Sequence, residues 1–315
     1  MVYECCVGNH AQGWPKFAAR QLATAAADGG LALVYFFDAE SKAVKLSSGQ
    51  TVSVTVSTAY PFGDGTVNIA LAGATKPFPL YVRVPAWAAG ASITVGGKKT
   101  SNLAPGSMAK VAVPAGATKV VLSLPLEVRV ERRPPYILTR SLNAPANAAN
   151  IFRGPVMFGL PRDFTLDHAP PYDDSPTRLP VGQAHGQNNY LLGTGNWTYA
   201  LQIKDDKNPG ADLVYAAQSV PAPPKGQGVF SPFLSPGVIH AKASLLPKAL
   251  WDSVKSGRGA DATCPKGTSI HDYVCKWASP PPKSPVAAPG GAMQSVVLLP
   301  YGATDLRIGE FPTTN

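Results

Sequence analysis

From residue 51 the chain alternates strictly: Thr51, Ser53, Thr55 and Ser57 separate Val52, Val54 and Val56. A period of two sends successive side chains to opposite faces, so this run predicts a strand with one buried and one wet face. Residues 31–37 form a short apolar run before Asp38, and 66–71, 80–84, 92–95, 109–113 and 119–124 continue the series. Gly63-Asp64-Gly65 and Gly96-Gly97 are turn signals between them. Short strands at this spacing, with no long helix between, predict an antiparallel β-sandwich.

Before the strands the period is different. Trp14, Phe17, Ala18 and Leu22 recur at helical spacing, which predicts one amphipathic helix over residues 12–27, with Pro15 in its first turn and Asp28-Gly29-Gly30 as its stop. After the strands, residues 127–133 alternate charge with valine up to Pro134-Pro135, the pattern of a solvated strand face. Residues 143–150 are small and polar and mark a domain boundary or, alternatively, a loop inside one large sandwich assembly. Beyond it a strand is expected over 151–160, kinked at Gly154-Pro155. Residues 280–291 read as a connector, and 295–299 with 305–308 as a closing hairpin. The organisation expected is therefore a helical segment over 1–30, a β-sandwich over 31–145 and a second β-rich domain with long loops over 146–315.

Composition sharpens the fold class. A chain of 315 residues holds two domains, and 32 prolines and 30 glycines against 15% charged residues favour short strands and turns over helices. The net charge of +9 invites a nucleic-acid reading, but Lys and Arg occur in pairs at most, as in Lys98-Lys99 and Arg132-Arg133, without interleaved aromatics. A solvated basic surface, with no nucleic-acid partner, is the expectation. No segment approaches the roughly 18 apolar residues of a membrane span. No basic start and apolar run follow Met1, which places the protein in the cytoplasm if Met1 is its natural start.

Candidate chemistry begins at Cys5 and Cys6. Adjacent cysteines are held in poor geometry for a mutual disulfide, so they are free thiols or metal ligands. A thiolate is both a zinc ligand and a nucleophile, whereas two buried inert thiols are the bland alternative. Asp163, Asp167, Asp173 and Asp174 lie near His168 and Tyr172, but the surrounding prolines fit an acidic surface loop better than a metal site. His185 and His240 stand alone in sequence. Asn196-Trp197-Thr198 is a glycosylation sequon. Cys264 and Cys275 bracket a short loop, and a disulfide there would add about 2–3 kcal/mol in an oxidising compartment. With His271 four residues before Cys275, zinc is the weaker alternative, lacking a fourth ligand.

A longer comparison draws several stretches together. Glu4-Cys5-Cys6-Val7-Gly8-Asn9 and Gln12-Gly13-Trp14-Pro15-Lys16-Phe17 resemble the segment that carries the catalytic cysteine in glycoside hydrolase family 127, the β-L-arabinofuranosidase type. Tyr60-Pro61-Phe62, the run from Phe78 to Trp87, Arg153-Gly154-Pro155-Val156 and the closing run from Leu299 to Ile308 resemble the sandwich portion of that family, in the same order. The resemblance implies an (α/α)6 barrel joined to β-sandwich domains, and retaining cleavage of β-linked L-arabinofuranosides. It implies Cys5 as thiolate nucleophile on zinc, Cys6 as a neighbouring zinc ligand, and an upstream Glu, an upstream Cys and an acid/base glutamate, none of which has a counterpart here. The expected fold is thus mainly β: antiparallel sandwich domains preceded by one N-terminal helix left over from an (α/α)6 barrel. A partner chain or N-terminal domain is expected to cover that helix. The expected function is a glycosidase fragment acting on carbohydrate. The alternative is a non-catalytic carbohydrate-binding or structural β-sandwich module, in which Trp87, Trp197 or Trp277 stacks on sugar or packs inward.

Overall fold

The computed structural model describes residues 12–25, 27–133, 136–137, 143–144, 147–168, 189–219, 235–247, 249–250, 281–288, 290, 292–304 and 306–314. The chain is mainly β and divides into two units, Tyr3–Glu127 and one built on Val128–Asn315.

The first unit holds strands β1 (Leu22–Thr24), β2 (Leu31–Leu33), β3 (Ala39–Lys45), β4 (Thr51–Thr58), β5 (Thr66–Ala74), β6 (Phe78–Val84), β7 (Ser92–Val95), β8 (Lys98–Thr100), β9 (Ser107–Val113) and β10 (Gly116–Ser123). They form a four-stranded sheet, β1-β2-β6-β9, and a six-stranded sheet, β3-β4-β5-β10-β7-β8. One core joins them. Leu31, Leu33, Leu80, Val82 and Val84 from the first sheet and Val52, Val54, Val56, Ile69 and Leu122 from the second belong to a single buried cluster. This is the predicted sandwich, and the alternation of β4 resolves as predicted into buried valines and outward Ser and Thr. All pairings are antiparallel except β2 with β6, which run parallel in the register Leu31↔Leu80.

The helix is shorter than the sequence pattern predicts. Helical residues run over 12–18; Ala19 N donates to Pro15 O at 2.9 Å, and the next two bonds tighten to i→i+3. Leu22–Thr24 instead pairs antiparallel with Leu31–Leu33. Gly29 therefore turns a β-ladder rather than stopping a helix; its φ is +70°, and a Cβ there would lie 2.9 Å from Ser48 Cβ. Burying Leu31 and Leu33 in the ladder outweighs the helix propensity of an alanine-rich stretch, because a short helix without a packed partner is marginal whatever its composition.

Asp28 fastens that turn. Its Oδ1 accepts from Gly30 N, and its Oδ2 accepts from the Tyr81 hydroxyl and, at 3.0 Å, from Lys110 Nζ. The Tyr81 hydroxyl first, and Lys110 second, hold the carboxyl below the ordinary carboxylate value. Because the folded value is depressed, the contribution is present above the unfolded value and is lost as pH falls through the folded one. Asp28→Asn is therefore expected to lower stability in urea unfolding at neutral pH, and to be nearly without effect once the medium is acidic enough to protonate the carboxyl. The group is exposed, so the effect is small.

The second unit contains β11 (Val128–Arg132), β12 (Tyr136–Ile137), β13 (Asn143–Ala144), β14 (Ala149–Arg153), β15 (Val156–Pro161), β16 (Phe164–His168), β17 (Asn189–Gly193), β18 (Tyr199–Gln202), β19 (Leu213–Ala217), β20 (Gly237–Leu245), β21 (Gln294–Pro300), β22 (Arg307–Ile308) and β23 (Thr313–Thr314). The main sheet runs β11-β14-β15-β21-β20-β18-β23, with β19 on β20 and β22 on β15, while β12-β13 and β16-β17 are small two-stranded ladders. The sheet curls until its ends meet. Ala149 and Phe311 exchange both backbone hydrogen bonds, at 2.8 and 3.0 Å, and Arg132 of β11 donates to Thr313 Oγ1 of β23 at 2.8 Å. Ile151, Phe158, Leu201, Ile239, Leu298 and Phe311 fill the enclosed core.

Three sequence expectations change here. The units divide between Glu127 and Val128, not within 143–150, because β11 pairs across that stretch with β14. The strand expected over 151–160 is a hairpin: Gly154, at φ +54°, turns β14 back on β15, with Arg153 opposite Val156. Residues 295–299 and 305–308 do not pair with each other; β21 and β22 both lie on β15.

Candidate functional site

Residues 1–11, with Cys5 and Cys6, lie outside the described residues. The described residues start at Gln12, six positions after Cys6, and the helix there is seated on the first sandwich by aromatic rings. Phe17 lies 4.5 Å from Tyr35 and 5.6 Å from Phe37 between centroids, and Trp14 packs edge-on against Phe17 at 6.3 Å. Just after the helix, Gln21 is buried; its Nε2 donates to Phe37 O at 2.6 Å and its carbonyl accepts from Val34 N at 2.8 Å. Trp14 itself is 69% exposed, so the helix shows an apolar edge to its surroundings.

Beneath that seat the loop after β2 meets the loops after β4 and β6. Phe36 packs edge-on against Tyr60 at 5.5 Å, and Tyr60 stacks on Trp87 at 6.4 Å with the rings 13° apart. The guanidinium of Arg83 sits 5.7 Å from the Tyr35 ring centre and 5.6 Å from that of Phe36, while its Nε donates to Val34 O at 2.7 Å. The Tyr60 corner is held by local bonds: Tyr60 N donates to Thr58 Oγ1 at 3.0 Å, Thr58 Oγ1 donates to Thr66 O at 2.7 Å, and Thr58 N donates to Asp38 Oδ1 at 2.7 Å. Burial pushes the Tyr60 phenol up, partly offset by Arg83. Tyr60-Pro61 and the run from Phe78 to Trp87, far apart in sequence, thus converge on the loop that seats the helix.

Two aromatic pairs worth about 0.5–1.5 kcal/mol each hold Phe17 in place. Phe17→Ala is expected to free the helix without unfolding the sandwich. Limited proteolysis should then cut within residues 12–21 about tenfold faster, as a loss near 1.4 kcal/mol implies, while the main thermal transition stays in place.

Other candidates fare differently. Asp163 serves the fold through its backbone, its carbonyl accepting from Thr194 N at 2.7 Å. Asp167 and His168 fall in β16, and Tyr172, Asp173, Asp174, His185, Cys264, His271, Cys275 and Trp277 lie outside the described residues. His240 is an exposed β20 residue facing Val214 and Val297 in register. Asn196 is exposed, whereas Thr198 is buried and donates from Oγ1 to Leu246 O at 2.7 Å. Trp87 is stacked on Tyr60, and one face of Trp197 is covered by the guanidinium of Arg162 at 4.6 Å. A groove of about 430 Å³ crosses the outer face of the six-stranded sheet, lined among others by Ser53, Thr55, Ser57, Asn68 and Lys119; it brings no pair of carboxyls together. Among the described residues no three His, Cys, Asp or Glu side chains converge on a point that would hold a metal ion.

Residues 33–126 match the family model of the β-L-arabinofuranosidase GH127 middle domain. The first sandwich thus resembles the GH127 middle domain. Solved structures extend the likeness of fold to the whole chain. A glycoside hydrolase superposes over 100% of this chain and 40% of its own, with a TM-score of 0.61 at 14% identity. The GH127 β-L-arabinofuranosidase of Geobacillus stearothermophilus T6 superposes over 98% of this chain and 36% of its own (TM-score 0.54, 18% identity). A further GH127 β-arabinofuranosidase does so over 98% and 38% (TM-score 0.54, 12% identity). This chain therefore spans about two fifths of the length of the glycoside hydrolase structures it matches. No curated protein matches it in sequence. The family model covers the motifs at Tyr60 and from Phe78 to Trp87; beyond residue 126 the likeness is one of fold.

Proposed function

We propose that the chain supplies the sandwich region and the thiol pair of a glycoside hydrolase of the β-L-arabinofuranosidase type, the remainder of its catalytic barrel being polypeptide outside these 315 residues. In this reading the Cys5 thiolate attacks the anomeric carbon of an L-arabinofuranoside. The C1–sulfur bond forms as the C1–oxygen bond breaks, and a separate acid delivers a proton to the leaving oxygen. Water then releases the sugar with net retention. Cys5 and Cys6 would hold zinc, which when bound supplies the positive charge that keeps sulfur ionised. Two thiolates are half of a tetrahedral set, so the other ligands would have to come from elsewhere.

The observation that supports the reading is the seat of the helix. The segment that follows Cys6 packs through Phe17 on Tyr35 and Phe37, beside the family-type segments at Tyr60 and at Arg83 to Trp87. The test is zinc analysis of freshly purified protein that carries this chain together with a complete barrel, with sugar release from an aryl β-L-arabinofuranoside. Bound zinc and arabinose release support the assignment; neither metal nor sugar release would favour a non-catalytic sandwich module.

A further inference from the structure

The proposed chemistry leaves the Asn196-Trp197-Thr198 sequon unused. An N-linked sugar needs room around the asparagine nitrogen, and a rule that demands a hydroxyl two residues on means that the transferase must reach that hydroxyl as well. The fold treats the two ends of the motif in opposite ways.

Asn196 stands in the loop between β17 and β18. Thr194, Gly195 and Asn196 are all exposed. Gly195 is left-handed at φ +70°, with open space where a Cβ would stand, and among the described residues no hydrogen bond holds the Asn196 side chain. Thr198 is the reverse. It is 6% exposed, its Oγ1 donates to Leu246 O at 2.7 Å, and its carbonyl accepts from Leu246 N at 2.7 Å. Trp197, between them, packs against Ala200 and Leu246 with the Arg162 guanidinium over its ring. A transferase reaches the Thr198 hydroxyl only by opening the ladder that starts at Tyr199 opposite Leu245. In the folded chain the nitrogen is presented and the hydroxyl is withheld.

Synthesis opens a window. Leu246 lies 48 positions after Thr198, so the partner of that hydroxyl is made later, by roughly 2–10 s at a chain growth of about 5–20 residues per second.

We propose that Asn196 is an N-glycosylation site that is modified only before β20 closes on β18, the folded second unit then carrying the glycan outward from the β17–β18 loop. The amide nitrogen forms a bond to the anomeric carbon of the first sugar of a lipid-diphosphate-linked oligosaccharide. The bond from that carbon to the phosphate oxygen breaks, the lipid diphosphate leaves with the electron pair, and the nitrogen gives up a proton. The site presupposes entry into a secretory compartment; the glycosidase reading does not depend on it.

The whole chain, placed behind a secretory leader and produced in cultured eukaryotic cells, tests the site. Its intact mass carries an excess that an amidase specific for N-linked glycans removes, leaving an aspartate at position 196. Thr198→Ser keeps the excess; Asn196→Gln and Thr198→Val lack it. Because Asn196 is exposed, the glutamine variant folds and decides the matter even if loss of the Thr198 bond unfolds the valine variant. Order is read with unglycosylated chain, purified transferase and lipid-linked donor. Chain refolded beforehand is modified at least about tenfold more slowly than the same chain diluted from urea straight into the reaction, since the folded form must first open locally. No excess mass on the leader-directed chain, or an excess that survives in Asn196→Gln, would overturn the site. Equal rates on refolded and freshly diluted chain would overturn the order.

Discussion

Cys5→Ser is expected to abolish turnover of an aryl β-L-arabinofuranoside, by at least about a thousandfold, in any version of the protein that carries a complete barrel. A serine hydroxyl stays protonated near neutral pH and is a poor soft-metal ligand, so the variant loses both the nucleophile and its activation. Cys6→Ser leaves the attacking sulfur in place but removes a ligand, so it should lower zinc content along with rate. The two variants separate the roles of adjacent thiols. Substantial activity in folded Cys5→Ser protein would remove the nucleophile from that position.

The second large effect is structural. Leu80 is 0% exposed and sits within β6, flanked by Leu31 of β2 and Val111 of β9. Leu80→Ala removes its buried side chain and leaves a cavity inside a ladder paired on both sides, which cannot collapse easily. The expected loss is about 3–5 kcal/mol, read from the urea midpoint of the first unit. A loss under about 1 kcal/mol would mean that the two sheets do not share the core around Leu80. An exposed position on the other sheet provides contrast: Ala70→Ser on β5 should leave the midpoint essentially unchanged.

Much of the first unit is legible in the sequence because its strands bury one face only. Val52, Val54 and Val56 state the period of two without help, and the structure buries all three. β3 carries no such mark: its seven residues, Ala39–Lys45, contain no fully buried side chain, so no apolar period announces it, and it is held by pairing with β4. The helix looks longer in sequence than it is for the opposite reason. Leu22 keeps helical spacing with Phe17 and Ala18, yet ladder pairing with Leu33 wins, and spacing alone cannot foresee a partner supplied by residues 31–33.

The second unit is legible in kind rather than in order. Gly154-Pro155 reads equally well as a kink or a turn, and pairing of Arg153 with Val156 decides for the turn. A sheet that closes through Ala149 and Phe311 depends on residues about 160 positions apart, beyond any local pattern. The aromatic seat is scattered along the sequence. Family resemblance singles out Tyr60, Arg83 and Trp87, but Tyr35 and Phe37 read only as parts of an apolar strand; their ring contacts with Phe17 seat the helix on the sandwich.

The assignment of chemistry to this chain turns on one sulfur. Protein that turns over an arabinofuranoside can be incubated with a slow substrate bearing a good leaving group, quenched in acid and digested for peptide mass spectrometry. The account predicts one pentosyl group on the peptide that contains Cys5, absent from the Cys5→Ser protein. A pentosyl group on another residue, or an active protein that never shows the adduct on Cys5, would contradict it.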